Sequence, residues 1–440
     1  MRLGAISADT GTAVAADGVG NVFATGSFSG TVDFGGGPFT STAFPWLDPN
    51  NFADVFVAKY SGTNHQHLWS RQIGAEAQDY GRAVTTDPSG NVFVTGSVQN
   101  YVDFGDGIYT PAGGSDDAFV AKYAGSDGSY LWAKHFTNGL NDRGLGVAAD
   151  QNGSVFITGE FEGDLNLGGA TLSTSGRDDF DVFVAKYAAD GTYLWSTQFG
   201  DIRPDGGNAV TVDPWGDIIV TGHFQGTVDF GGGPLTSAGG LGNDDVFVAK
   251  FSGFDGRHLW SKRFGNTARD VGNSVAVDQG GNVVVTGAFQ GAVDFGGGLL
   301  STSAITDCDG FLVALSGTSG SHLWSRRFGN TGNDAGNSVA AGAGDAVLVA
   351  GRFNLTVDFG GGLLSAVSTD AFVAKYSALD GTYKWARNSA GALPDQANGC
   401  ALDPFGNAVA TGNFFSTVKF GGPSLTSAGS TDSFIVRLGP

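Results

Sequence analysis

The chain has 440 residues, of which 74 are Gly and 12 Pro; 41% are hydrophobic and only 15% charged. Its formal net charge of −20, with no basic run to interrupt the acidity, argues against a phosphate-backbone partner and hence against nucleic acid. No apolar stretch reaches the ~18 residues a membrane span needs, so no membrane insertion is expected. Met1-Arg2-Leu3-Gly4 has no apolar signal-peptide core, and the two cysteines, Cys308 and Cys400, form neither a disulfide framework nor a metal-ligand spacing.

Length alone would suggest two or three domains, but one unit of about 63 residues recurs seven times, and repeats override that prior. Each unit opens on an Asp (Asp9, Asp79, Asp142, Asp205, Asp270, Asp334, Asp395). The first predicted strand follows, reading A-V-A-V, and ends at a second Asp eight residues on (Asp17, Asp87, Asp150, Asp213, Asp278, Asp403), with Gly342 the exception. The link D-P-x-G-N then signals a hairpin, because Asp and Pro start the turn and Gly supplies its positive φ. The second strand reads N-V-F-V-T-G-x-F, and the third, A-F-V-A-K-Y, starts at Asp54, Asp117, Asp181, Asp245, Asp309, Asp370 and Asp432. A D-G turn leads to the fourth, L-W-S-x-x-F.

Four antiparallel strands repeated radially make a propeller blade. The expected fold is therefore all-β, a seven-bladed β-propeller of four-stranded antiparallel blades in one domain, 1–440. The units run approximately 9–74, 79–137, 142–200, 205–265, 270–329, 334–389 and 395–440 plus 1–4. A solenoid of the same unit would need polar end caps, and neither end shows one. The seventh copy lacks the fourth-strand Trp found at Trp69, Trp132, Trp195, Trp260, Trp324 and Trp385. Met1–Gly4 aligns with the end of such a strand, Lys262–Gly265, so the N-terminal segment is expected to complete blade 7 and close the ring. The same alignment predicts residues upstream of Met1, with an export signal among them.

The runs Asn282–Gly287, Val293–Gly298, Phe247–Lys250 and Leu259–Ser261 resemble the bacterial SBBP (seven-bladed β-propeller) repeat family along essentially the whole chain. The resemblance implies the propeller fold and a secreted or cell-surface setting. It carries no catalytic motif over to this chain.

Residues identical in every blade serve every blade and are expected to be scaffold. The V-D-F-G-G-G stretch lacks the Gly-Lys-Ser/Thr chemistry of a phosphate loop and the companions of a kinase motif, so turn and packing roles remain. Topology puts the interblade and second-to-third loops on one face, called the top, with the hairpins on the bottom. The acids gather at the top, including Asp116, Asp178, Asp179, Asp244 and Asp307. They are expected to cap turns and pair with fourth-strand cations such as Arg71, Lys134, Lys262, Arg326 and Arg387. Ca²⁺ binding is the sharper alternative, but no calcium-loop spacing is present and no cofactor or metal site is assigned.

Variable positions are the candidate ligand contacts. The residue after Thr-Gly samples Glu160, His223, Arg352 and Asn413 around the ring, where other blades have Ser27, Ser97 and Ala288. A position early in the first strand reads Thr12, Arg82, Leu145, Asn208, Asn273, Asn337, Asn398, and its four Asn could meet sugar hydroxyls or line a wet channel. Trp46, in an insertion unique to blade 1, is placed at the top, and Trp215, in the hairpin Asp213-Pro-Trp-Gly216, at the bottom. Each is a candidate platform for a sugar ring or a protein. His67, His258 and His322 share a position with Tyr elsewhere, which points to packing. The expected function is a non-catalytic extracellular or cell-surface binding module, a monomer, for a carbohydrate or protein ligand. Alternatives are a propeller hydrolase or lyase acting on a polysaccharide, and a purely structural scaffold.

Overall fold

A computed structural model describes residues 1–41, 52–74, 77–109, 114–174, 176, 179–239, 242–304, 306–342 and 344–439. These form seven four-stranded antiparallel sheets, each in simple first-to-fourth order from the inside out. Blade 1 shows the plan: Asp9–Ala16, Val22–Ser29, Ala53–Tyr60 and His67–Ile73. A small hairpin such as Thr31–Asp33 with Pro38–Thr40 crowns the second-to-third connection. In blade 6 that hairpin is continuous with its strands, Ala346–Asp358 and Leu363–Tyr376.

Blades stack face to face, so the core lies between them. One cluster joins Phe23, Val57 and Trp69 of blade 1 to Val92, Val94 and Phe119 of blade 2, and the pattern recurs around the ring. Because both faces of the second and third strands are covered, these strands read as unbroken apolar runs without alternation. The Thr-Gly pair has a steric reason. A Cβ at Gly26 would lie 1.9 Å from the Thr10 carbonyl oxygen, and the neighbouring Thr25 hydroxyl donates to the Phe56 carbonyl at 2.8 Å.

Blade 7 comprises Gln396–Leu402, Ala408–Phe414, Asp432–Leu438 and, outermost, Arg2–Leu3, paired as Arg2 with Phe434 and Leu3 with Ser433. The N-terminal segment thus supplies the outer strand of the last blade and closes the ring. Cys400 is buried against blade 6, where desolvation pushes its thiol up to about 12, an apolar packing role.

Candidate functional site

The first strands line a central channel of about 180 Å³ that contains Thr12, Arg82, Asn208, Asn273, Asn337 and Asn398. In every blade this position is a β-bulge: pairing skips from Gly11 to Ala13, Gly207 to Ala209, Gly272 to Ser274, Gly336 to Ser338 and Ala397 to Gly399. A bulged residue leaves the ladder and re-aims its side chain. Here it reaches the next blade. Asn208, Asn273, Asn337 and Asn398 donate Nδ2 to the carbonyls of Gly272, Gly336, Ala397 and Gly11, each at 2.9 Å. Thr12 donates to Gly81 at 2.5 Å. The four Asn do line the channel, as candidates for ligand contact must, but their amides are engaged in stitching blade to blade.

At the top mouth the candidates are similarly engaged. Glu160 accepts from Arg143 at 2.8 Å, and the same guanidinium meets Asp116 at 2.7 Å. His223 packs beside Gly206 with Nδ1 3.4 Å from Asn208 Nδ2, and desolvation lowers its pKa below the usual imidazole value. Arg269 pairs with Asp244 at 2.9 Å. Arg352 lies across the ring, donating to Gln396 at 3.3 Å, and Asn413 accepts from Asn398 at 3.1 Å. The structure brings Glu160 and His223 to one sector without a bond between them, and leaves Arg352 and Asn413 in another. Trp46 and Asp178 lie outside the described residues.

The invariant acids form a buried ring below this mouth. The opening Asp lies near the third-strand Asp of the preceding blade, at five of the seven junctions beside a glycine that ends the fourth strand, with Thr137 and Ser389 at the other two. A Cβ on Gly329 would touch both Asp309 and Asp334, and one on Gly4 both Asp432 and Asp9. The opening carboxylates clamp backbone: Asp270 accepts from Asn266 at 2.8 Å and Gln290 at 3.0 Å, Asp334 from Asn330 at 3.2 Å and Asn354 at 2.8 Å. Burial, aided by the facing carboxylate, pushes Asp9, Asp270, Asp334 and Asp395 up to about 7, and Asp142 and Asp205 to about 8. Among the described residues no group of three or more His, Cys, Asp or Glu side chains is arranged to hold a metal.

The expected cation pairing needs a correction of one residue. Third-strand Asp309, Asp245 and Asp117 are met by Arg327, Arg263 and His135, not by Arg326, Lys262 and Lys134. A one-residue step along a strand changes faces, so Arg326 and Arg71 instead reach the next blade's turn, at Gly381 and Gly128. Arg387 bonds the Ala386 carbonyl, while Asn388 serves Asp370 at 2.7 Å. The third-strand lysines find the hairpin acids: Lys250 meets Asp213 at 2.6 Å and Lys122 meets Asp87 at 3.1 Å. Where Gly342 replaces that Asp, Lys375 bonds the Gly406 carbonyl instead, and desolvation lowers its pKa. His67, His258 and His322 each pair with a Ser at 3.1 Å and cover a glycine turn, a packing role.

The bottom mouth differs. A cavity of about 470 Å³ opens there, lined by Asp150, Gln151 and Asn152 of blade 3, Val212–Gly216 of blade 4, Asp278 and Gln279 of blade 5, and Gly342 of blade 6. Trp215 stands on its rim, 69% exposed, with its ring edge over Gly281 and the Lys250 ammonium 5.8 Å from the ring centre. Phe405 holds the matching hairpin position in blade 7 and is also exposed. Of these lining residues the sequence singles out Trp215 but not Gln151, Asn152 or Gln279, which occupy ordinary turn positions.

Residues 68–97 match the SBBP beta-propeller repeat family, a span running from the outer strand of blade 1 to the second strand of blade 2. An uncharacterized WD repeat-containing protein, L264, of Acanthamoeba polyphaga mimivirus is 24% identical over 84% of this chain and 32% of its own length. Regulatory protein FlaEY of Caulobacter vibrioides is 24% identical over 88% of this chain and 42% of its own, so the chain spans less than half of either relative. Among solved structures, BamB from Moraxella catarrhalis is similar at 12% identity, covering 99% of this chain and 95% of that one with a TM-score of 0.39. Saccharomyces cerevisiae Sqt1 is similar at 9%, covering 99% and 98%, with a TM-score of 0.43. The chain is thus a seven-bladed propeller that carries, in residues 68–97, a match to the SBBP beta-propeller repeat.

Proposed function

We propose that the propeller is a non-catalytic binding module whose ligand, a carbohydrate or a segment of protein, seats at the bottom mouth around Trp215. One observation carries this reading: an indole left 69% exposed over a 470 Å³ cavity, beside the exposed amides of Gln151, Asn152 and Gln279. A flat apolar ring beside convergent amides suits a sugar face or a peptide, and the volume lies in the range of ligand sites. The acids lining the cavity are neutralised in part, Asp150 and Asp213 by Lys186 and Lys250 at 3.6 and 2.6 Å. No observation favours the hydrolase or lyase alternative, which needs a Glu160 free of Arg143 and a reacting group within reach of it. A secreted or cell-surface setting belongs to the same proposal and rests on the SBBP resemblance.

The test is to probe a glycan array and an immobilised peptide array with wild type and Trp215→Ala. The proposal expects at least one ligand class captured by wild type and lost in the variant. Capture that is indifferent to Trp215 would relocate the site.

A further inference from the structure

Blades 2 and 3 meet at the top through charges that offset one another. Asp116, just before the third strand of blade 2, and Glu160, across from Arg143 in blade 3, share the Arg143 guanidinium. Between blades 6 and 7 the same three positions, those of Asp116, Arg143 and Glu160, read Thr369, Gln396 and Asn413. Gln396 pairs across the strands with Asn413 as Arg143 does with Glu160. A hydroxyl or an amide thus stands wherever the other junction has a charge. One charge is added, because Arg352 takes the place that Ser97 holds in blade 2.

Arg352 is exposed, and its cross-strand neighbour is the small Ala335. Arg143, Arg269 and Arg327 each meet a carboxylate, whereas the one polar partner of Arg352 among the described residues is Gln396 at 3.3 Å. A cavity of about 380 Å³ lies around it. Four amides line that cavity, and each has its oxygen occupied by a donor of the protein. Asn333 accepts from the Cys308 N–H at 3.3 Å, Asn354 from the Thr369 hydroxyl at 3.1 Å, Gln396 from Arg352 and Asn413 from Asn398 at 3.1 Å. Among the described residues no acceptor meets their four NH2 groups. The lining is therefore rich in unused donors. Its acid, Asp395, is buried with its two oxygens taking the Phe415 N–H at 3.0 Å and the Ser389 hydroxyl at 3.1 Å. Burial pushes that carboxyl up to about 7, so in mildly acidic solution it does not oppose an anion.

We propose that this cavity binds a sugar bearing one carboxylate, such as a hexuronate, at a site separate from that of Trp215. The guanidinium fork takes the planar carboxylate. The amide NH2 groups donate to ring and hydroxyl oxygens, and Phe415 and Pro394 add apolar lining. An acidic side chain of a peptide offers two oxygens, fewer than four amides and a guanidinium can use. A single cation among neutral donors matches a monoanion; a dianion such as sulfate is repelled more by a chain of net charge −20.

The test is calorimetric titration of D-glucuronate, D-glucose, sulfate and an end-blocked Gly-Glu-Gly peptide into the 440-residue chain, in mildly acidic buffer of low ionic strength. The proposal expects saturable one-to-one binding of glucuronate, with the other three at least about tenfold weaker. Arg352→Ala should weaken glucuronate about tenfold or more, with the melting temperature retained because the side chain is exposed. Asn413→Asp keeps the acceptor for Asn398 but puts a carboxylate into the lining, and should weaken binding comparably. No binding of glucuronate at tens of millimolar, or equal binding by wild type and Arg352→Ala, would overturn the proposal. So would sulfate or the peptide binding as tightly as glucuronate, which would make the site one for inorganic anions or for protein carboxylates. Glucuronate binding lost in Trp215→Ala and kept in Arg352→Ala would overturn it too, while leaving the bottom-mouth reading intact.

Discussion

At the top mouth Glu160 and Asp116 both bond Arg143, Asp244 bonds Arg269, and Asn413 bonds Asn398. At the bottom mouth Trp215 and Phe405 project into solvent beside amides that belong to turns. The same repeat builds both ends, so the difference lies in where variation fell. Charged side chains placed at the top, such as Glu160 and Asp244, are drawn into pairs within and between blades. Large residues placed in hairpins rest on a glycine of the next hairpin, with Lys250 also near Trp215, and stay largely exposed. Chemical richness at the top therefore helps hold the ring together, and the proposed ligand surface falls to an apparently plain turn.

The widest separation between the two ends should appear with pH. The carboxyls of Asp9, Asp270, Asp334 and Asp395 have folded pKa values of about 7 against 3.8 for an ordinary Asp. A raised folded value means that the native state holds the proton more tightly. The stabilisation is full below about pH 4 and is lost as pH rises through 7. Between pH 5 and 8 each such site should cost about 2–3 kcal/mol, and the melting temperature should fall accordingly. Asp270→Asn, which mimics the protonated form, should flatten its share of the slope; an unchanged slope would show that the buried ring does not titrate.

Removing Arg143 should break the top alone. Arg143→Ala leaves Glu160 and Asp116 without their shared cation, and because the guanidinium is partly exposed a loss of about 1–2 kcal/mol is expected in chemical denaturation. Asn337→Ala removes one interblade bond to Ala397 and should cost about 1 kcal/mol. Trp215→Ala should change stability by roughly 0.5 kcal/mol or less, because exposed positions contribute little. A larger loss would mean that the indole is part of the scaffold and would erase the contrast.

Much of this was legible in the sequence. Seven identical environments demand seven similar residues, so the strands, the turns and the closure by Met1 to Gly4 follow from the repeat register. Trp215 was legible because it breaks a hairpin pattern. The role of Asn208, Asn273, Asn337 and Asn398 was not, because a bulge takes its residue out of the alternation by which strand faces are read. The choice of Arg263 over Lys262, and of Arg327 over Arg326, was hidden for a related reason. Adjacent basic residues look equivalent in sequence but point to opposite faces.

The most direct test of the central claim is calorimetric titration of the ligand selected on the arrays into wild type, Trp215→Ala and Arg352→Ala. The account predicts that Trp215→Ala weakens binding at least about tenfold, as for an anchor residue, while Arg352→Ala at the opposite mouth leaves it unchanged. Loss of binding in Arg352→Ala with retention in Trp215→Ala would contradict it.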